Sequence, residues 1–133
     1  MKKGLLRIAF SLLALSCSTS NEVETPKEAE NNSLIGKWKL IETYSDPGDG
    51  SGTFQAANSQ KTFEFFSNDS VYSNGEICSL STDAQSPSSS TFSDSTKTIN
   101  CPNSYRLFYE FKNQHLMLYF PCIEPCIFKL ERI

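Results

Sequence analysis

Between Leu34 and Ile133 the chain consists of short runs in which apolar and polar residues alternate, with no helical periodicity longer than a turn or two. The runs are rich in aromatic and β-branched side chains, and Gly, Ser, Asn, Asp or Pro separates them. Closely spaced runs with this period of two are typical of a β-sandwich or an up-and-down barrel. Eight strands are predicted, at Lys37–Tyr44, Lys61–Phe66, Val71–Glu76, Ser89–Ser93, Thr96–Asn100, Tyr105–Phe111, His115–Phe120 and Ile127–Arg132.

The lengths of the connections favour the barrel. Connections after the second, fourth and sixth strands are short, whereas those after the first, third, fifth and seventh are longer and include Ser45–Gln60 and Ser79–Ser88. If all neighbouring strands form hairpins, the short turns lie at one end and the long loops at the other. We therefore expect residues 34–133 to form an all-β domain, an eight-stranded antiparallel up-and-down barrel with a closed end and an open mouth.

The turn at Asn113–Gln114 indicates which face is the inner one, because a two-residue turn fixes which residues of the flanking strands lie opposite each other. The resulting pairs are apolar: Phe111 with Leu116, Tyr109 with Leu118, and Leu107 with Phe120. The same parity carries through the loop Ile123–Pro125 to the last strand. It pairs Phe128 with Phe120, Leu130 with Leu118, and Arg132 with Leu116. Arg132 then points inward at the closed end.

Residues 1–17 have the pattern of a secretory signal peptide. Met1–Lys3 and Arg7 make a positive start, and Ile8–Leu15 is an apolar run too short to span a bilayer as a stable helix. Small residues then precede Cys17, and the segment resembles the lipobox of bacterial lipoproteins, except that Ala14 stands where leucine is usual. This resemblance implies cleavage before Cys17 and its lipidation with acyl chains such as palmitate, which anchor a protein stably. The alternative is an ordinary signal with an incidental Cys17.

Residues 18–33 are predicted to form a disordered, acidic tether. The segment contains four glutamates and almost no large apolar residue, so it cannot bury enough surface to offset its ordering entropy. Fully extended, it would reach about 50 Å from the membrane surface. Its predicted role is to space the barrel domain from the lipid anchor.

The net charge of the mature chain limits the classes of partner that it can bind. Once the three basic residues of the signal are removed, nine basic residues face fifteen acidic ones, which gives a net charge near −6. A negative protein has no electrostatic footprint for nucleic acid and little attraction to anionic lipid heads. We expect a monomer in the bacterial cell envelope, at the periplasmic or surface face of the outer membrane. It should contact the membrane only through its N-terminal lipid and should not bind nucleic acid.

Gly36-Lys37-Trp38 opens the first predicted strand and holds the only tryptophan of the chain. A glycine two residues before the ring lets the backbone bend tightly beneath it. With the long first loop and Arg132 near the end of the last strand, this motif resembles the lipocalin-like family of small bacterial lipoproteins over nearly all of Leu34–Ile133. The resemblance implies that Arg132 packs across Trp38 and plugs the closed end, a contact worth about 0.5–2 kcal/mol. The chain is shorter than the large lipocalins, so their deep ligand pockets are not implied.

Four cysteines remain besides Cys17, and each falls on a long-loop side of the predicted barrel: Cys78, Cys101, Cys122 and Cys126. An even number in an exported chain favours two disulfides over a four-cysteine zinc site, for which close Cys-x-x-Cys pairs are missing. Three connectivities are possible. We favour Cys122–Cys126, because the two flank a three-residue hairpin loop at facing positions, and therefore Cys78–Cys101.

The sequence indicates no enzyme, no metal site and no cofactor. His115 is the only histidine, and it starts a predicted strand on the face opposite the apolar set, so an exposed strand residue is the simplest interpretation. No serine–histidine–acid arrangement can be placed, which leaves no catalytic residues to name. Asp46–Gly50 resembles a calcium loop only superficially, because it lacks the ligand spacing and the closing glutamate.

The sequence therefore indicates a binding function, for which there are two hypotheses. The first is a tethered binder of a small apolar or amphipathic ligand at the mouth, with aromatic wall residues Tyr72, Tyr105, Tyr109, Phe120 and Phe128. The second is a protein-interaction or inhibitor module that acts through the acidic loops Ser45–Gln60 and Ser79–Ser88. An internal void near the tyrosines of roughly a few hundred Å3 favours the first hypothesis, and a solid core favours the second.

Overall fold

A computed structural model describes residues 33–133 of the chain. The predicted signal peptide, the lipidation of Cys17 and all of the tether except Ser33 lie outside the described residues. Apart from one short 3-10 turn at Pro102–Ser104, the regular structure of this part of the chain is β-strand. The strands are β1 (Gly36–Ser45), β2 (Thr53–Ala56), β3 (Thr62–Phe65), β4 (Ser70–Ser73), β5 (Ser88–Ser93), β6 (Thr98–Asn100), β7 (Arg106–Lys112), β8 (His115–Phe120) and β9 (Cys126–Arg132). Over residues 33–133 no helix has the length and hydrophobicity needed to traverse a bilayer.

The sheet closes on itself. Strands β3 to β9 pair antiparallel in chain order, and β1 pairs with β3 on one edge and with β9 on the other. The result is a closed eight-stranded antiparallel barrel, with β2 as one additional strand. The predicted fold class is therefore confirmed.

The strand β2 has no counterpart among the predicted strands, because it falls inside the predicted loop Ser45–Gln60. It pairs with the second half of β1, from Glu42 to Ser45, along the same edge whose first half pairs with β3. All four of its residues are exposed, so the strand lacks the apolar alternation by which a strand is recognised in a sequence. Its main side-chain contact is between the rings of Phe54 and Tyr44, whose centroids are 5.3 Å apart.

Short and long connections lie at opposite ends of the barrel, as the sequence predicts. The closed end contains Ser33, the C-terminus and the turns at residues 66–69, 94–97 and 113–114. The other end, which we call the mouth, contains four longer connections, at residues 46–52, 74–87, 101–105 and 121–125. Four cysteines of the described chain lie in these connections or next to them.

One continuous cluster of buried side chains fills the barrel. Alternate residues of each strand face inward, and the predicted pairs Phe111–Leu116 and Tyr109–Leu118 are found between β7 and β8. Edge-to-face contacts between aromatic rings occur within the cluster. The ring centroids are 5.3 Å apart for Phe65 and Phe92 and 4.6 Å apart for Phe120 and Phe128.

The predicted register between β8 and β9 is wrong by two residues. Phe128 lies opposite Leu118 rather than Phe120, and the last ladder pair before the connection joins Phe120 to Cys126. In this register the next pair would be Pro121 with Pro125, and neither proline has an N–H to extend the ladder. A shift of two keeps each side chain on its predicted face, so the assignment of the apolar face survives.

Candidate functional site

Trp38 and Arg132 meet at the closed end of the barrel. The indole of Trp38 is 1% exposed, and its Nε1–H donates to the carbonyl of Leu34 at 2.9 Å. Arg132 is the ladder partner of Trp38, and its guanidinium carbon lies 4.4 Å from the centroid of the ring. The guanidinium also donates to the carbonyls of Ile35, at 2.9 Å, and of Ser33. Arg132 therefore lies on the same face as Trp38, as predicted, and covers the ring at the closed end. The residue opposite Leu116 is Leu130 and not Arg132.

Gly36 is placed where a side chain has no room. Its φ is +128°, and a Cβ at this position would lie 2.6 Å from Nη1 of Arg132. Glycine is thus needed both for the backbone conformation and for the close approach of the arginine. The three residues of the predicted plug, Gly36, Trp38 and Arg132, form one contact set whose evident role is structural.

Two disulfides hold the mouth. Cys78, in the connection 74–87, is bonded to Cys101, which precedes the 3-10 turn, with a Cα–Cα distance of 5.8 Å. Cys122 is bonded to Cys126 across 6.0 Å between Cα atoms. The predicted connectivity is confirmed, but Cys122 lies in the connection before β9 and does not face Cys126 within the ladder.

The wall of the barrel opens between β5 and β6 near the mouth. Their ladder has two pairs, Phe92–Ile99 and Ser93–Thr98, and then stops. The same register would bring Ser89 opposite Pro102, which has no N–H to donate, and the chain instead enters the 3-10 turn there. A space of about 480 Å3, which we call the crevice, occupies the gap. Its lining includes Glu76, Ile77, Ser88, Ser89, Asn100 and Tyr105.

A buried lysine fastens the connection 74–87 to the barrel. Lys61 is 0% exposed and lies immediately before β3, and its Nζ is 5.5 Å and 5.4 Å from the ring centroids of Phe63 and Phe128. The ammonium donates to the carbonyls of Glu76 at 2.6 Å and Ser81 at 2.7 Å. Burial lowers the pKa of Lys61 to about 8, because desolvation outweighs the opposing attraction of the Glu76 and Asp83 carboxylates.

Lys61 was not among the candidate residues, although its position carries a readable signal. Lys61, Phe63 and Phe65 alternate along one predicted strand, so the parity that buries both aromatic rings also directs the lysine inward. A charged residue in an apolar row is normally taken as the strand end. Here the ammonium donates to backbone carbonyls of the connection 74–87. The path of that connection cannot be predicted from the sequence.

The pH dependence of stability should reveal the buried ammonium. The unfolded chain has an ordinary lysine pKa of 10.5 and the folded chain one of about 8, so the unfolded state binds more protons between these values. The free energy of unfolding should therefore rise with pH across this window, by about 1–3 kcal/mol. Urea unfolding of the wild type and of Lys61→Met between pH 7.5 and pH 10 measures the difference, since the variant lacks this rise. Lys37→Met, at an exposed position, is the control, and equal slopes in wild type and Lys61→Met would contradict the assignment.

Four of the five aromatic residues predicted to line a ligand site do not line the crevice. Tyr109, Phe120 and Phe128 belong to the core, and the hydroxyl of Tyr109 donates to Asp94 at the closed end, at 3.0 Å. Of the five, only Tyr105 lines the crevice, where its hydroxyl donates to the carbonyl of Cys78. The predicted interior position of Tyr72 is wrong, because the side chain is 40% exposed and faces outward. Its neighbours Val71 and Ser73 are buried opposite Phe65 and Phe63, so Tyr72, which alternates with them, lies on the outer face.

The mouth is acidic. Its four connections carry five carboxylates, and no Lys or Arg occurs in these stretches of the described chain. The carboxylates belong to Asp46, Asp49, Glu76, Asp83 and Glu124. Asp46 also orders its own loop, because it accepts hydrogen bonds from the backbone N–H groups of residues 48, 50 and 52, at 2.7, 3.1 and 3.0 Å. These bonds hold the pKa of Asp46 below its usual value, so the loop keeps its negative charge.

The fold and the mouth together define a closed antiparallel barrel with a filled interior and an acidic rim held by two disulfides. The sequence matches no protein-family model, no curated protein and no solved structure. Within residues 33–133 there is also no group of three or more His, Cys, Asp or Glu side chains arranged to hold a metal ion.

Proposed function

We propose that this protein is a lipid-anchored binding module of the bacterial cell envelope, related to the lipocalin-like lipoproteins, which engages a cationic partner protein at its acidic mouth. The observation that carries the proposal is the filled barrel. Tyr109 and Phe128 are 2% exposed and Phe120 is 8% exposed, so these side chains, which would have lined an internal ligand site, are buried in the core, where Phe120 packs against Phe128. A partner that cannot enter the barrel binds at its rim.

The charge distribution supports a cationic partner. Five carboxylates lie on the mouth connections, and the ammonium of Lys61, held by one of these connections, offsets only part of their charge. The remaining negative charge favours a cationic partner. Complementary charge raises association rates and excludes partners of like charge. The rim is also pre-ordered by Lys61 and by the two disulfides, which reduces the entropy that loops lose when they bind.

The position of the N-terminus supports the same orientation. Ser33 is held by Arg132 at the closed end, so a tether attached there leaves the barrel opposite the mouth. With lipidation at Cys17, the mouth would face away from the membrane. That arrangement suits capture of a soluble protein or of a protein exposed on another surface.

Removal of mouth charge should abolish capture of the partner. The variant Asp49→Asn, Glu76→Gln, Asp83→Asn, Glu124→Gln spares Asp46, which organises its loop. We expect affinity purification from envelope and secreted extracts of the source organism to recover a basic protein with the wild type and not with this variant. Salt at about 0.5 M should release it, since screening weakens exposed charge pairs.

A control variant with the same charge change, placed away from the mouth, separates local from overall charge. Glu64→Gln, Asp69→Asn, Glu110→Gln and Glu131→Gln alter the strands and the closed end only. This control should capture the partner as the wild type does. Equal loss in both variants would mean that net charge, and not the mouth, determines binding, and equal capture by all three proteins would refute the proposal.

The second candidate is the binding of a small apolar or amphipathic ligand in the crevice, and one observation favours it. The space of about 480 Å3 lies within the usual range for ligand sites and combines the apolar surfaces of Ile77 and Tyr105 with several serine hydroxyls. A small molecule that remains on the natively purified protein in native mass spectrometry would support this alternative. An unliganded mass throughout would count against it.

A further inference from the structure

The mouth half of β5 presents unpaired backbone groups to the crevice. The N–H of Phe92 donates to the carbonyl of Asp69 at 2.9 Å, on the side of β4. Because backbone groups alternate along an antiparallel ladder, Ser90 and Ser88 also direct theirs toward β4, opposite Val71 and Ser73. Ser89 therefore directs its N–H and its C=O the other way, toward β6, where the ladder has already ended.

This free edge follows from the chemistry of the neighbouring strand. Pro102 would be the partner of Ser89 in the β5–β6 register, and it offers no N–H. The bond between Cys101 and Cys78 then holds the chain in its turn away from β5. Asn100, the last residue of β6, uses its carbonyl to accept from the Oγ of Ser90 instead of from the backbone of β5. The gap between β5 and β6 is therefore fixed by Pro102 and the disulfide and does not result from fraying of a strand end.

The surroundings of Ser89 suit an extended peptide. Side chains of a strand added at this edge would point alternately to the two faces of the wall. On the inner face they would meet the apolar surfaces of Ile77 and Tyr105, and Glu76 is the charged residue of the crevice lining. A peptide with a lysine or arginine next to an apolar residue fits this combination of apolar floor and carboxylate.

We propose that the mouth half of β5 accepts an extended segment of the partner protein as an added strand, hydrogen-bonded to Ser89 and with a basic side chain against Glu76. The proposal rests on the mouth being a protein-binding surface, and it names the mode of recognition there. Main-chain pairing supplies affinity in such complexes, and the alternating side chains supply specificity.

The test removes one hydrogen-bond donor without removing a ladder bond. In Ser89→Pro the missing N–H is the one that faces the crevice, and proline is tolerated at such edge positions. Ser67→Pro is the matched control, at an exposed position in the closed-end turn 66–69 where proline is favoured. Peptides are selected from a displayed random library on the disulfide-bonded wild type, synthesised, and titrated against all proteins by fluorescence polarisation.

The expected result is a set of selected peptides that contain Lys or Arg and that bind Ser89→Pro about tenfold more weakly, with Ser67→Pro unchanged. Hydrogen exchange of the Ser89 amide in the wild type should slow on addition of peptide. If Ser89→Pro unfolds, Glu76→Gln provides a second route, since it should weaken the binding of basic peptides and not of their alanine-substituted versions.

Two results would overturn the strand-addition proposal. One is unchanged affinity in a folded Ser89→Pro together with unchanged exchange of the Ser89 amide, and the other is recovery of no peptide above background. A basic partner captured through the mouth carboxylates but indifferent to Ser89→Pro would refute strand addition and leave the proposed function intact. If the proposed function itself were wrong, the mouth-charge variant would capture the partner as the wild type does. Failure of strand addition and failure of the proposed function therefore give different results.

Discussion

Replacement of Trp38 by alanine should lower the free energy of unfolding by about 3–5 kcal/mol. The ring is fully buried, packs 5.8 Å between centroids from Phe111, and carries the guanidinium of Arg132 on its outer side. Its removal opens a cavity at the closed end and leaves the carbonyl of Leu34 without the indole N–H. Urea unfolding followed by circular dichroism measures the change, with the transition slope used to check that the comparison is valid.

Phe108→Ala is the matched control for this substitution, because it removes a large aromatic side chain that is mostly exposed on the outer face of β7. Its effect should be within about 0.5 kcal/mol, as for other surface substitutions. A loss of less than about 1 kcal/mol in Trp38→Ala would contradict the role of the tryptophan as the core of the closed end.

Removal of the Cys78–Cys101 disulfide should destabilise the protein by about 3.5 kcal/mol, and removal of Cys122–Cys126 by about 2 kcal/mol. The difference follows from the sequence separations of 23 and 4, because a longer closed ring restricts the unfolded chain more. The paired variants Cys78→Ala/Cys101→Ala and Cys122→Ala/Cys126→Ala, compared by urea unfolding under non-reducing conditions, provide the measurement. Equal losses, or a larger loss for the short ring, would contradict this account.

The larger bridge should also affect binding. Cys101 fixes the chain just before Pro102, and Cys78 fixes the connection that carries Glu76, so the bond holds both walls of the crevice. Loss of this bridge should therefore weaken the proposed binding at the mouth, whereas loss of the short ring should weaken it less.

The barrel could be predicted because its signals are local. Alternation of apolar residues reveals the strands, the two-residue turn at Asn113–Gln114 sets the pairing of its hairpin, and the lengths of the connections sort the two ends. The cysteine pairing followed from the same strand order. These features need no knowledge of which residues meet across the barrel.

The errors all concern contacts that sequence periodicity does not encode. The strand β2 is exposed along its whole length, so it has no pattern to detect. The β8–β9 register is offset by two residues from the predicted one, and a period of two cannot distinguish registers that differ by two. Tyr72 faces outward because the pairing with β3 places Val71 and Ser73 opposite the buried Phe65 and Phe63.

The mouth was the least predictable region for the same reason. Lys61 is held by carbonyls of a connection that follows β4, and the crevice exists because Pro102 comes opposite Ser89 on another strand. The contacts of Lys61 and the position of Pro102 opposite Ser89 both depend on how strands distant in sequence are paired. The acidic character of the mouth, in contrast, could be read from the loops themselves once their common end was known.

The pairing of β1 with β9 has a consequence for folding. It joins Trp38 to Arg132, so the ring of strands closes only through contacts between residues that are far apart in sequence. Contacts so distant in sequence are costly to form early, because the entropy of the intervening chain is lost before other contacts compensate for it. Until then the edge of β1 that pairs with β9 stays open to pairing with other chains. Truncation within β9 should therefore leave a species prone to aggregation.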